Sequence, residues 1–158
     1  MSWLVRAYII VLSFAWFPHS LARVKELGYD FTIYWLAGQG IFRADWVYSN
    51  HLAVVFAPLG ALPHDVGFAV LYAGCVLAWL ALGHLSPTLA VLATYPFLLS
   101  LELGQIAPIL AWLCLSPLGS LVAAWFKPYL VVFVILHAVA FTVRARRARR
   151  GLRCPNVF

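Results

Sequence analysis

The chain has 158 residues, of which 65% are hydrophobic, 16% aromatic and only 10% charged, with a mean hydropathy of +0.93. Soluble domains carry about 25% charged residues, so this composition excludes an ordinary soluble domain and indicates an integral membrane protein. The formal net charge of +6 gives no support to a nucleic-acid partner. Six of the eleven basic residues are arginines within 144–153, directly after the last apolar run, where arginines set topology and meet anionic head groups.

The first apolar run covers residues 3–21, with Arg6 near its start and able to snorkel to the interface. It ends in Ser20-Leu21-Ala22, a small-x-small pattern of the kind signal peptidase cuts. The preceding basic region is weak and the run is crowded with aromatics, so an uncleaved first helix is expected. Residues 23–65 then form a long loop.

Within that loop, residues 28–50 hold two of the five carboxylates, Asp30 and Asp45, and five Tyr or Trp residues: Tyr29, Tyr34, Trp35, Trp46 and Tyr48. Asp30 opens Phe31, Ile33, Tyr34, Trp35 and Leu36, which predict a short helix ending at residues 38–40. Aromatics gather where one end of a ring is apolar and the other wet, so this helix is expected at the outer membrane surface. Asp30 has two readings there. It is an N-cap accepting from free backbone N–H groups, or a carboxylate facing the head group of a lipid-linked substrate.

Residues 51–63 are apolar but broken by Pro58, Gly60 and Pro63, which predicts a re-entrant or interfacial piece. Residues 66–85 have the length and composition of a clean span. Pro87 starts the next, 88–103, in which Pro96 predicts a kink by freeing a carbonyl one turn earlier. Residues 106–126 are too short for two spans and predict a hairpin that dips into the membrane, its turn at 116–119 buried against protein. A final helix over 129–143 leads to the arginines.

The expected architecture is therefore an all-α integral membrane protein with four to five transmembrane helices, an outer-face interfacial helix and a re-entrant hairpin. Residues 1–143 form a single transmembrane domain and 144–158 a basic cytoplasmic tail. Four crossings put both termini in the cytoplasm and residues 28–65, Glu102 and Lys127 outside, in a bacterial-type cytoplasmic membrane. A hairpin that crosses fully makes the count five and moves one terminus.

Few side chains can carry chemistry, and ionisable groups at membrane depth are functional candidates. Glu102 and Lys127 flank the hairpin, where they either pair with each other or meet a substrate. Gln105 either satisfies a helix end or joins them. The five histidines (His19, His51, His64, His84 and His137) are scattered and read as interfacial or core residues. Cys75, Cys114 and Cys154 are far apart and lack metal-ligand spacing, so neither a disulfide nor a metal site is indicated. No GxSxG, HExxH, P-loop or GxGxxG pattern occurs.

Several short motifs nevertheless stand in a telling order: Asp30…Tyr34, Tyr48, Phe56-Ala57-Pro58-Leu59, Gly104-Gln105 after the Pro96 helix, and Lys127-Pro128. Over about residues 8–150 this order resembles the glycosyltransferase family 87 proteins, here in shortened form. The resemblance implies the N-terminal part of a GT-C fold. It also implies inverting, metal-independent and cofactor-free transfer of mannose or another sugar from a polyprenyl-phosphate donor to a lipid-linked or glycan acceptor. Asp30 would be the general base, worth about 10²–10⁴-fold. Lys127 would stabilise the departing phosphate. Tyr34 and Trp35 would stack on the sugar, and Tyr48, Glu102 and Gln105 complete the substrate-binding set. Where the family has Asn after Gly-Gln this chain has Ile106-Ala107-Pro108, and Phe56-Ala57-Pro58 stands where Tyr-Pro is common. The short length keeps a second class open, a non-catalytic small subunit or scaffold working with another membrane chain or a second copy. A transporter would want repeated halves, and no internal repeat is present.

Overall fold

The computed structural model describes residues 3–27, 30–42 and 52–151, and among these the chain is helical with no strand. It forms two compact units, Met1–Trp112 and Leu113–Phe158. Among the described residues three helices are long and apolar enough to cross a membrane: Trp3–Glu26, His64–Leu85 and Pro128–Ala145.

In the first unit, helix α1 spans Trp3–Leu27. It runs past the expected end at Leu21, so residues 23–27 are helix and not loop. Nothing from Leu21 to Leu27 breaks a helix, and Arg, Lys, Glu and Leu are all good helix formers. The extra turns matter because they carry Arg23 and Lys25 out on a rigid rod.

Helix α2 (Asp30–Gly38) matches the predicted short helix, and Gly40, at φ 78°, takes the left-handed conformation that turns the chain away. Helix α3 (Ala53–Gly60) packs against it with backbone nearly touching backbone. A Cβ on Gly38 would stand 2.3 Å from the Phe56 carbonyl oxygen, and one on Gly60 would stand 2.6 Å from the Gly38 carbonyl carbon. Two glycines are therefore what lets these short helices lie together. Gln39 Nε2 adds a hydrogen bond to the Gly60 carbonyl at 3.0 Å.

Helix α4 (His64–Leu85) is the clean span the sequence predicts, begun two residues earlier. The next predicted span is not one helix. It is α5 (Pro87–Leu92) and α6 (Thr94–Leu103), which meet at Ala93. Pro96 has no N–H to give the Leu92 carbonyl, so the effect of the proline appears as a break where a kink was expected. Ser86 caps α5, its hydroxyl accepting from the Leu89 N–H at 3.3 Å, with Pro87 at the first helical position.

The interior of this unit is partly aromatic. Trp79 is fully buried, stacks on Phe97 at 5.2 Å and donates its indole N–H to the Ala90 carbonyl at 2.9 Å. Ile9 of α1 packs into the same cluster. In lipid, such polar contacts and close packing hold helices together, because lipid tails are as apolar as leucine.

Helix α7 (Ala107–Leu113) and, in the second unit, α8 (Pro117–Phe126) have 7 and 10 residues, neither near the roughly 20 a crossing helix needs. The segment 116–119 was expected to be a turn buried against protein. Ser116, Pro117 and Leu118 are exposed, and only Gly119 is buried. The backbone is satisfied locally instead: Ser116 caps α8 by accepting from the Gly119 N–H at 3.0 Å, with Pro117 first in the helix. Helix α8 packs on α9 (Val131–Gly151), which follows a 3₁₀ turn at Pro128–Leu130 and runs on into the arginines as helix. His137 Nε2 donates to the Cys114 carbonyl at 3.0 Å.

Candidate functional site

Helix α2 is fastened on several sides, and each fastening comes from a distant part of the chain. Phe31 is fully buried against Gly104, whose hypothetical Cβ would stand 2.6 Å from the Phe31 Cβ. Thr32 hydrogen-bonds His64 Nε2 at 3.1 Å. The Tyr34 ring stacks face to face on Phe56, with centroids 4.7 Å apart and planes at 8°. Trp35 donates its indole N–H to the Leu62 carbonyl at 2.9 Å and sets its ring edge-on to His64. A nine-residue helix is marginal alone, so these contacts are what fix its start.

That start is Asp30, half-buried in the first turn of α2. The partial positive charge of a helix N-terminus favours a carboxylate there. A capping role would require a hydrogen bond from the Thr32 or Ile33 N–H. Among the described residues no hydrogen bond or ion pair engages the Asp30 carboxylate.

In the same unit, residues of three other helices bring charge together. Glu102 of α6, with its side chain 16% exposed, accepts from Arg23 Nε at 3.1 Å and lies 3.5 Å from His19 Nε2, both on α1. Within the first unit, the partners of Glu102 are thus on α1. Trp16 sets its ring edge-on to His19 at 5.2 Å. Lys25 holds Asp65 at 2.7 Å, and Asp65 lies 3.5 Å from His64 Nδ1. Thr32, His64, Asp65 and Lys25 therefore form one chain of polar contacts. With Nδ1–H turned to Asp65, the neutral imidazole accepts from the Thr32 hydroxyl at Nε2.

Gly104-Gln105 has a plain structural task. Gly104, at φ 65°, ends α6 in the left-handed conformation, its N–H reaching Leu101 O and the Gln105 N–H reaching Ser100 O at 2.9 Å. The Gln105 carbonyl accepts from Cys75 Sγ at 3.5 Å. The same close approach that stops α6 lays it against the first residues of α2, so Gln105 comes to the Asp30 end.

Of the residues singled out in the sequence, Asp30, Tyr34, Trp35, Glu102 and Gln105 all belong to the first unit. Tyr34 is 2% exposed, and one ring face is occupied by Phe56. Lys127 belongs to the second unit, where it ends α8 with its N–H on Ala123 O and its carbonyl accepting from Leu130 N–H. Tyr48 and Asp45 lie outside the described residues. His64, Arg23 and Lys25 were missed as members of the cluster. The available signal was Pro63-His64-Asp65 at a helix start, where an acid favours the first turn. Among the described residues no group of three or more His, Cys, Asp or Glu could hold a metal ion.

No family model matches the chain, and no curated protein or solved structure is significantly similar to it.

Proposed function

We propose that the protein is a membrane glycosyltransferase, transferring a sugar, mannose being the first choice, from a polyprenyl-phosphate donor to a lipid-linked or glycan acceptor. The observation that carries this reading is Asp30: a carboxylate at a tightly packed helix start, unengaged among the described residues, in the same unit as two paired charges. A base must keep an oxygen for the acceptor hydroxyl, whereas Glu102 is ion-paired to Arg23 and Asp65 to Lys25. The reaction needs that oxygen to take the acceptor proton as the alcohol attacks the anomeric carbon and the lipid phosphate departs. Arg23 and Lys25 are the cations of this unit suited to the leaving phosphate.

In the membrane arrangement that goes with this reading, α1, α4 and α9 cross as single helices. The pair α5–α6, 17 residues from Pro87 to Leu103 and so about 25 Å long, makes a fourth crossing. Helices α7 and α8 dip and return, and α2 lies at the outer surface with the arginines in the cytoplasm. A cysteine at Ser49 should then be labelled by an impermeant thiol reagent on intact cells. Protection of Ser49→Cys, with labelling at Cys154, would reverse the orientation.

The catalytic reading is tested by reconstituting the protein in liposomes with labelled polyprenyl-phospho-mannose and an acceptor lipid fraction. Label should pass to the acceptor. A second reading, a non-catalytic subunit of a larger membrane complex, draws on α9, whose apolar stretch has no fully buried residue within its own unit. Protein that neither binds donor nor transfers sugar, yet co-purifies with one partner through α9, would favour that reading.

A further inference from the structure

A hollow of about 390 Å³ lies between α1 and α4, walled by Ser13, Phe14, Phe17, Tyr72, Val76 and Leu77 among others. Ile10 borders both this hollow and a second one of about 310 Å³, which is edged by Leu80, Ala81, Arg6 and His84. The two hollows adjoin at Ile10, the first apolar and the second edged by Arg6 and His84.

The polar atoms in the wall of the first are already spent. Ser13 Oγ donates back to the Ile9 carbonyl at 2.7 Å, and the Tyr72 hydroxyl donates to the Ser13 carbonyl at 2.7 Å. Phe17, held by Phe68 and Tyr72 at 6.0 and 5.0 Å, stands at the far end. From Phe17 to Arg6 the helix rises about 16 Å, which is close to the depth of one leaflet of a roughly 30 Å hydrocarbon core. At the other end Arg6, inside an apolar span, has no hydrogen bond or ion pair among the described residues, and neither has His84. Arg6, which can snorkel to the interface, and His84 are thus free to meet an anionic head group there.

We propose that the two hollows together form a groove that binds one anionic glycerophospholipid, an acyl chain lying along α1 and α4 and the phosphate held between the Arg6 guanidinium and the His84 imidazole. Charge complementarity at the head and a leaflet-deep apolar channel behind it select this occupant. The sugar donor is a poor fit for the same place. Arg6 lies about 26 Å along α1 from Arg23, so a phosphate there is far from the Asp30 end. The inference is independent of the proposed glycosyl transfer.

Full-length protein in detergent is titrated with phosphatidylglycerol, phosphatidylcholine or polyprenyl phosphate, with retained lipid read by native mass spectrometry and Tm measured alongside. Phosphatidylglycerol should be retained in preference to phosphatidylcholine and should raise Tm. Arg6→Gln should weaken it about fivefold, the worth of one cation near a lipid surface, and His84→Gln should weaken it less. Ala73→Phe, which fills the groove without touching the charges, should reduce retention of both phospholipids while leaving the lipid-free Tm unchanged. If Arg6→Gln does not fold, Ala73→Phe and His84→Gln decide the matter alone. Equal retention of phosphatidylglycerol and phosphatidylcholine, retention unaffected by Ala73→Phe, or displacement of phosphatidylglycerol by equimolar polyprenyl phosphate would each overturn the proposal.

Discussion

Helices α2 and α9 are both rich in apolar and aromatic residues, yet this chain treats them in opposite ways. The nine residues of α2 are pinned by backbone approach at Gly38 and Gly104, by two indole and hydroxyl hydrogen bonds and by a stacked ring pair. Within its own unit the apolar stretch of α9 has no fully buried residue, although α8 packs on it, and one imidazole-to-carbonyl hydrogen bond from His137 is its clearest polar tie. Hydrophobicity therefore does not decide what is packed in such a protein. Small residues and directed polar groups do, because lipid serves an apolar side chain as well as another helix does.

The sharpest way to break that contrast is at Gly104. Gly104→Ala forces an L residue into the left-handed region, costing about 1–2 kcal/mol, and pushes a methyl into Phe31. Overpacking costs about 1–3 kcal/mol, so a total loss near ~3 kcal/mol is expected in equilibrium unfolding in mixed micelles. Unchanged stability would mean that α6 does not lie on α2 as described.

A smaller loss is expected from Glu102→Gln, which leaves Arg23 and His19 without their carboxylate. Arg23 is 42% exposed and its ion pair is only partly shielded, so about 1 kcal/mol is the proper scale. Glu102→Gln should also cost less in a variant already carrying Arg23→Gln, and a double-mutant cycle measures that coupling. Trp35→Phe removes the indole hydrogen bond to Leu62 and should cost about 1 kcal/mol, read as a lower Tm. At the bottom of the scale, Ala140→Leu on the exposed face of α9 should change the stability of the isolated protein by less than about 0.5 kcal/mol. A large loss there would show that α9 is packed in the folded state.

Much of this was legible where a local signal existed. Asp30 at the start and the glycines at 38 and 40 bracketed α2 to within a residue, and Pro87 marked the start of α5. What escaped was set by partners far away in sequence. The Arg23–Glu102 pair joins residues 79 positions apart, and no spacing rule links them. His64 looked like one interfacial histidine among five until the fold brought Thr32 to one ring nitrogen and Asp65 to the other. The α5–α6 break went further than a kink because Ala93 takes a non-helical conformation, φ −82° and ψ 2°, at the turn where Pro96 withholds its N–H. Ser116 was read as part of a closing turn, although Ser-Pro is equally a helix start, as Ser86-Pro87 also demonstrates.

The central claim is that α2 is held so firmly in order to present the Asp30 carboxylate as a base. Asp30→Asn keeps size and hydrogen-bonding capacity, and Asn suits a helix start about as well as Asp. Loss of the charge–dipole attraction limits the stability change to within about 1 kcal/mol. An amide cannot take the proton of an attacking hydroxyl, so turnover should fall by about 10²–10⁴-fold. The decisive measurement is sugar transfer from polyprenyl-phospho-mannose by wild type and Asp30→Asn in the same liposomes, with unfolding followed in parallel. Intact protein with transfer lost is the result the account predicts; an Asp30→Asn variant that transfers sugar at the wild-type rate would contradict it.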